Sequence, residues 1–239
     1  MHRKVPFFDL FIDDLELATA PNYIYEQAKL KSLEITSLNM DQFVLSQDDQ
    51  AQARRIKKAE IVIADGAAIS LISRIFFRNK LKKLAGIDLA SKLIEKSKRL
   101  VLIGASEEVI SILEAKYAEK IVFAHHGFFD VAQKHHVIEE MIKASPDLVL
   151  VAMGIPKQEI FIEEIKIKID KCIFMGVGGS FDIWAEKLKR APDWMIIYGL
   201  EWFFRLIQEP SRLKRFFYKV RRFLLLLIVG GHRRGGSKE

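Results

Sequence analysis

One cysteine in 239 residues, Cys172, rules out a disulfide framework within the chain and suits a reducing compartment. It lies in the apolar run Cys172-Ile-Phe-Met175, where a thiol reads as a small buried strand residue. Long apolar runs are missing too. The longest uncharged one, Phe223 to Val229, falls far short of the ~20 residues that a spanning helix needs. Asp9, Asp13 and Asp14 interrupt any apolar segment near the start, so no secretory signal is expected. There is no GxxxxGK[ST] phosphate loop, and no internal repeat or low-complexity linker. No Asp-x-Asp pair occurs either, which leaves nothing in the motifs to argue for a required metal or other cofactor.

What is present is a folded composition: 50% apolar residues and 29% charged ones. Charge is distributed unevenly. Residues 1–182 carry 25 Lys and Arg against 26 Asp and Glu, whereas residues 183–239 carry 13 against 5. The basic excess therefore sits in the last quarter of the chain and points to a local anionic partner.

Apolar, strand-like runs occur at 33–36, 60–64, 100–104, 120–124, 147–153 and 171–177. Several are nearly continuous in Ile, Val, Leu and Phe, as strands covered on both faces are. Segments with helical spacing lie between them, at 50–58, 67–77, 89–98, 107–117, 131–143 and 158–168. Such alternation predicts an α/β fold: a Rossmann-like, mostly parallel sheet flanked by helices. Near residue 190 the alternation stops. We therefore expect an α/β core over 1–195 and a basic helical C-terminal appendage over 196–239.

Ligands of parallel sheets sit beyond the carboxyl ends of the strands. Asn39, Asp65, Gly104, His126, Gly154 and Gly178 each stand just past an apolar run. Asp65-Gly66 reads first as a helix cap and turn, yet a carboxylate at a strand end is also where a general base would sit. In Gly154-Ile-Pro-Lys-Gln-Glu159, Pro156 suits a helix start and puts Gln158 near the N-terminus, within reach of sugar hydroxyls or an amide. Gly176-Val-Gly178-Gly179-Ser-Phe-Asp182 is an incomplete dinucleotide fingerprint, weak for NAD and fair for a phosphate-bearing ligand. His125-His126 and His135-His136 are adjacent pairs whose side chains diverge on regular elements, so neither forms a chelating face.

The tail interleaves Arg205, Arg212 and Arg215 with Trp and Phe, then ends in Leu224–Val229. Guanidinium groups match phosphate in two-pronged contacts, and a solvated basic face is the plainer reading. Basic and aromatic residues followed by an aliphatic cluster suit an in-plane helix on an anionic membrane over 211–229. They suit nucleic acid less, so no nucleic-acid partner is expected.

These segments resemble the bacterial WecG/TagA/CpsF-type glycosyltransferases, which add N-acetylmannosamine or its uronic acid to undecaprenyl-linked sugars. The resemblance spans about residues 33–223 and rests on ordered matches. They are Ser37-Leu-Asn39, Ala64-Asp-Gly66, Ala85-Gly-Ile-Asp88, Gly127-Phe-Phe-Asp130, Met153-Gly-Ile-Pro-Lys-Gln-Glu159, Gly176 to Asp182, Lys189-Arg190-Ala-Pro192 and Gly199-Leu-Glu-Trp-Phe-Phe-Arg205. It implies an inverting, metal-independent transfer from a UDP-sugar donor to a polyprenyl-diphosphate-linked acceptor. Asp65 would be the base. Ser37, Asn39, Gly66, Gln158, Gly178, Gly179, Arg190, Arg205, Arg212 and Arg215 would bind substrate. It further implies a peripheral enzyme on the cytoplasmic face of the plasma membrane, with homo-oligomers among its relatives. Ser37 stands where Thr is usual, Lys83 where Arg is usual and Glu186 where Gly is common. Two other classes fit the same elements less well: a nicotinamide-dependent oxidoreductase and a non-enzymatic adaptor acting through the basic tail.

Overall fold

The structure, a computed structural model, describes residues 3–232, with the side chains of residues 212, 214, 215 and 229–232 outside the described set. Its centre is a six-stranded sheet in which every neighbouring pair is parallel. The strands are β3 (Leu33–Leu38), β4 (Ile61–Ala64), β5 (Leu100–Gly104), β6 (Ile121–His125), β7 (Leu148–Ala152) and β8 (Ile173–Gly176), in the order β4-β3-β8-β7-β5-β6. All six expected strands are present. Their near-continuous apolar character follows from burial on both faces. Leu100, Leu102, Leu148 and Leu150 face one layer, while Val101, Ile103, Val149 and Val151 face the other.

The first layer holds α1 (Ala20–Ala28), α5 (Gly86–Lys96), α6 (Glu107–Lys116) and α9 (Ser180–Trp184), which contribute Ile24, Leu89, Leu93, Leu113 and Phe181. The second holds α7 (Val131–Ala144) and α8 (Lys157–Ile165), through Val137, Met141, Phe161 and Ile162. A third cluster gathers at the β4 end of the sheet. It joins the hairpin β1 (Arg3–Phe7) and β2 (Leu10–Asp14) to Phe43 of α2 (Met40–Asp48), Ile56 of α3 (Gln50–Lys58) and Ile69 of α4 (Ala67–Phe77). The hairpin also finishes the edge of the sheet, because the buried Asp13 carboxylate accepts the Val62 N–H at 2.8 Å. An outer strand with unpaired N–H groups would otherwise invite other chains.

Beyond the sheet come α10 (Asp193–Ile197), α11 (Glu201–Gln208), a 3-10 turn (Pro210–Arg212) and α12 (Leu213–His232). The boundary expected between 195 and 196 falls inside α10. Helix α12 is docked on α2, with Phe223 buried edge-on against Phe43 at 5.7 Å between ring centres. Ion pairs Lys219–Asp41 and Arg222–Asp48 flank that contact. Among the described residues, no helix is long and apolar enough to cross a membrane.

Candidate active site

Asp65 stands one residue past β4 and is half-buried. Its backbone N–H donates to the Leu38 carbonyl at 3.0 Å, and its Oδ1 accepts the Gly86 N–H at 3.2 Å. Gly66 follows with φ 85, a conformation that L side chains rarely adopt, and swings the chain directly into α4. Burial is the main influence on the Asp65 carboxyl and raises its pKa to about 6. The Gly86 N–H opposes that rise, Glu201 and Asp88 add to it, and Lys83 counters it. A carboxyl poised near neutrality can take a proton at physiological pH.

Ser37 and Asn39 arrive from the adjacent strand end. Ser37 Oγ is buried with no hydrogen-bond partner among the described residues. The Gly86 backbone presses on this corner: a β-carbon there would come within 2.6 Å of Ser37 Oγ and 3.4 Å of Asp65 Oδ2. Asn39 caps α2, its Oδ1 accepting the Gln42 N–H at 3.0 Å. Ser37, Asn39, Asp65 and Gly66 thus share the C-terminal end of the β3–β4 pair.

The glycine turn after β8 forms the opposite wall. β4 and β8 both flank β3, so their ends stand about 10 Å apart, two strand spacings. The sequence suggests that Gln158 reaches substrate; the structure instead leaves it 4% exposed. Its Oε1 accepts the Gly178 N–H at 3.2 Å, and its Nε2 donates to Glu159 at 2.8 Å. With α8 beginning at Lys157, Gln158 turns inward beneath the glycine turn rather than out into the cleft.

The C-terminal helices close over both walls. Arg205 lies against Gly179 so tightly that a β-carbon at 179 would collide with its guanidinium. Gly199 packs the same way on Ala67, two residues beyond Asp65. Lys83 Nζ donates to the Ile196 carbonyl at 3.1 Å and to Glu201 Oε2 at 2.9 Å. Arg190 forms a two-pronged pair with Asp88 at 2.7 and 2.8 Å. Its guanidinium is therefore engaged by α5. Arg212 ends the 3-10 turn and Arg215 lies in the first turn of α12, but both side chains fall outside the described residues. Lys83, Gly86 and Glu201 were not singled out as site residues by sequence reasoning. Lys83 stood out only by resemblance, as an unusual residue beside Leu84-Ala-Gly86.

The first histidine pair departs from the expectation. His125 and His126 do not diverge; their rings stand 4.3 Å apart, because β6 ends at His125 and strand alternation ends with it. Among the described residues, no group of three or more His, Cys, Asp or Glu side chains is gathered to hold a metal ion.

A parallel α/β sheet with a carboxylate, a glycine turn and an arginine gathered at its C-terminal edge belongs to enzymes that hold a ligand over strand ends. The chain belongs to the WecG/TagA/CpsF family of glycosyl transferases, whose model matches residues 5–236. It is thus a glycosyltransferase of cell-envelope polysaccharide synthesis, and neither the oxidoreductase nor the adaptor reading stands. The family implies a nucleotide-sugar donor and a lipid-linked acceptor.

Proposed function

We propose that the enzyme moves an N-acetylmannosamine-type sugar, or its uronic acid, from UDP to a polyprenyl-diphosphate-linked N-acetylglucosamine. The observation that carries this reading is a double contact made by one C-terminal segment. Arg205 rests on the glycine turn, while Gly199 and Glu201 reach Ala67 and Lys83 beside Asp65.

Asp65 takes the proton of the acceptor hydroxyl as that oxygen attacks the anomeric carbon. The bond from that carbon to the UDP β-phosphate oxygen breaks on the opposite side, which inverts the centre. Positioned proton removal supplies roughly 10²–10⁴-fold. The leaving diphosphate gains charge, and Arg205, joined by Arg212 and Arg215, neutralises it where other enzymes use a cation. Ser37 and Asn39 line the sugar side, with the Gly178–Gly179 turn facing the diphosphate. Gln158 acts beneath that turn, and Arg190 holds the loop 189–192 onto α5.

The lipid acceptor brings the site to a membrane surface. Trp202, Phe203, Phe217, Leu224, Leu225 and Ile228 are exposed on α11 and α12. An in-plane helix carries such residues towards lipid. Lys219 and Arg222 are taken by Asp41 and Asp48, and Arg212 and Arg215 by the diphosphate, so anionic headgroups meet Lys214 and Arg221, at about 1 kcal/mol each. This gives a peripheral enzyme on the cytoplasmic face.

The test is UDP release from a panel of UDP-sugars with a synthetic prenyl-diphosphate-linked N-acetylglucosamine. Acceptor-dependent release with N-acetylmannosamine-type donors alone is expected; none with any of them contradicts the reading. Replacing Arg212 and Arg215 with Ala should weaken donor use more than fold stability, and unchanged kinetics would remove them from the site.

A further inference from the structure

Four buried polar side chains, bonded one to the next, link the two walls of the cleft from below. Gln52, Gln42, Glu159 and Gln158 are each no more than 4% exposed. Gln52 Nε2 donates to Gln42 Oε1 at 2.7 Å, and Gln42 Nε2 donates to Glu159 Oε1 at 2.6 Å. Gln158 Nε2 donates to that same oxygen at 2.8 Å, and Gln158 Oε1 accepts the Gly178 N–H at 3.2 Å. At the other end, the Gln42 backbone N–H donates to Asn39 Oδ1 at 3.0 Å. The chain therefore runs from Asn39 to Gly178.

We propose that Glu159 is a positioning residue: its carboxylate fixes the glycine turn relative to Asn39 by orienting the amides of Gln42 and Gln158. The inference rests on the functional reading of that turn as the donor-diphosphate wall. A carboxylate only accepts, so each neighbouring amide must present its NH₂ to it and turn its oxygen away. For Gln158 the oxygen then has one useful direction, the Gly178 N–H. For Gln42 it faces Gln52. Glu159 Oε2 has no partner among the described residues, so one oxygen carries both bonds. Gly176 is part of the fit: a β-carbon there would come within 2.5 Å of Gln158 Nε2 and 2.8 Å of its Cδ. A glutamine that could rotate freely would need no such clearance. Burying a carboxylate without a cation bonded to it is unfavourable for stability, which suits a role in geometry rather than in folding.

Glu159→Met tests this in the full chain, because it keeps approximate size and removes the shared acceptor. The NH₂ groups of Gln42 and Gln158 then lose their common partner, and the Gln158 amide is free to flip away from Gly178. Two readouts are needed: hydrogen exchange of the Gly178 amide in glycine-labelled protein, and UDP affinity by calorimetry. We expect at least tenfold faster Gly178 exchange and at least tenfold weaker UDP binding, with the fold intact by circular dichroism. Glu159→Gln keeps one side-chain oxygen that can accept from both amides, with its NH₂ in the place of the unpartnered Oε2. It should therefore retain most of both readouts. Unchanged Gly178 exchange in E159M, or E159Q no better than E159M, overturns the proposal. Faster exchange with unchanged UDP affinity contradicts instead the reading of the turn as a nucleotide-binding wall.

Discussion

The guanidinium of Arg205 occupies the space that a β-carbon at residue 179 would need. Residues 26 positions apart in sequence are thereby held in direct contact, and a C-terminal helix becomes part of the wall formed by the turn after β8. Substitution at the smaller partner is the sharpest probe of that contact. Gly179→Ala must displace Arg205, since the new methyl group takes the place of its guanidinium. We expect at least a tenfold loss in kcat/KM for the UDP-sugar with little loss of stability, because the atoms displaced are the end of one flexible side chain. Steady-state kinetics beside thermal unfolding would check it, and undiminished kcat/KM would detach Arg205 from catalysis.

Asp65→Asn should separate activity from stability. Turnover should fall at least a hundredfold. Stability should rise above neutral pH, and the sign follows from linkage. The folded pKa, about 6, lies above the unfolded value near 3.8, so the folded state binds more protons between those values. Stability therefore declines as pH rises through that window, by on the order of 1–3 kcal/mol, and Asn abolishes the decline. Urea titrations at pH 4 and pH 8 would reveal it; an equal loss of stability at both values would contradict the burial of Asp65.

Donor kcat/KM should fall on the acid side with an apparent pKa near 6. Lys83 and Glu201 should move that limb in opposite directions. Lys83 holds the Asp65 pKa down, so Lys83→Met shifts the limb upward; Glu201 pushes it up, so Glu201→Gln shifts it downward. Each replacement also loosens the Lys83–Glu201 pair at 2.9 Å, so both should lower turnover. Shifts of the same sign in the two pH profiles would show that neither charge acts on Asp65 directly.

The fold was largely legible because a parallel sheet writes its strands as continuous apolar runs, and all six lay in the sequence. The hairpin of 3–14 was not. Its strands are short and alternate with Asp and Lys, and their pairing is set by the Phe7, Phe8, Phe43 and Phe77 cluster far along the chain. The positions of Asp65, Asn39 and Gly178 just past strand ends followed from the apolar runs that precede them. Gln158 shows the limit: its place near a helix start was readable, but which way it turned depended on Glu159 beside it and on the clearance at Gly176 in β8. Lys83, Glu201 and Gly86 were unreadable as a set because tertiary packing alone brings them beside Asp65.

Phe223→Glu should release α12 from α2 by placing a charge opposite Phe43. Truncating a large buried aromatic costs about 3–5 kcal/mol, and a charge there costs no less locally. The sheet should remain folded by circular dichroism while protease cleavage within 213–232 becomes faster. Unchanged cleavage would contradict the docking of α12.

The measurement closest to the central claim compares the full chain with one ending at Leu200, following UDP release in the presence of the lipid-linked acceptor. Deleting 201–239 removes Arg205 and Glu201 yet leaves every strand of the sheet and Asp65 in place. The account predicts a folded protein with no detectable transfer. Transfer at the full-length rate would mean that Asp65 works without the helices that cover it, and the shared site would be wrong.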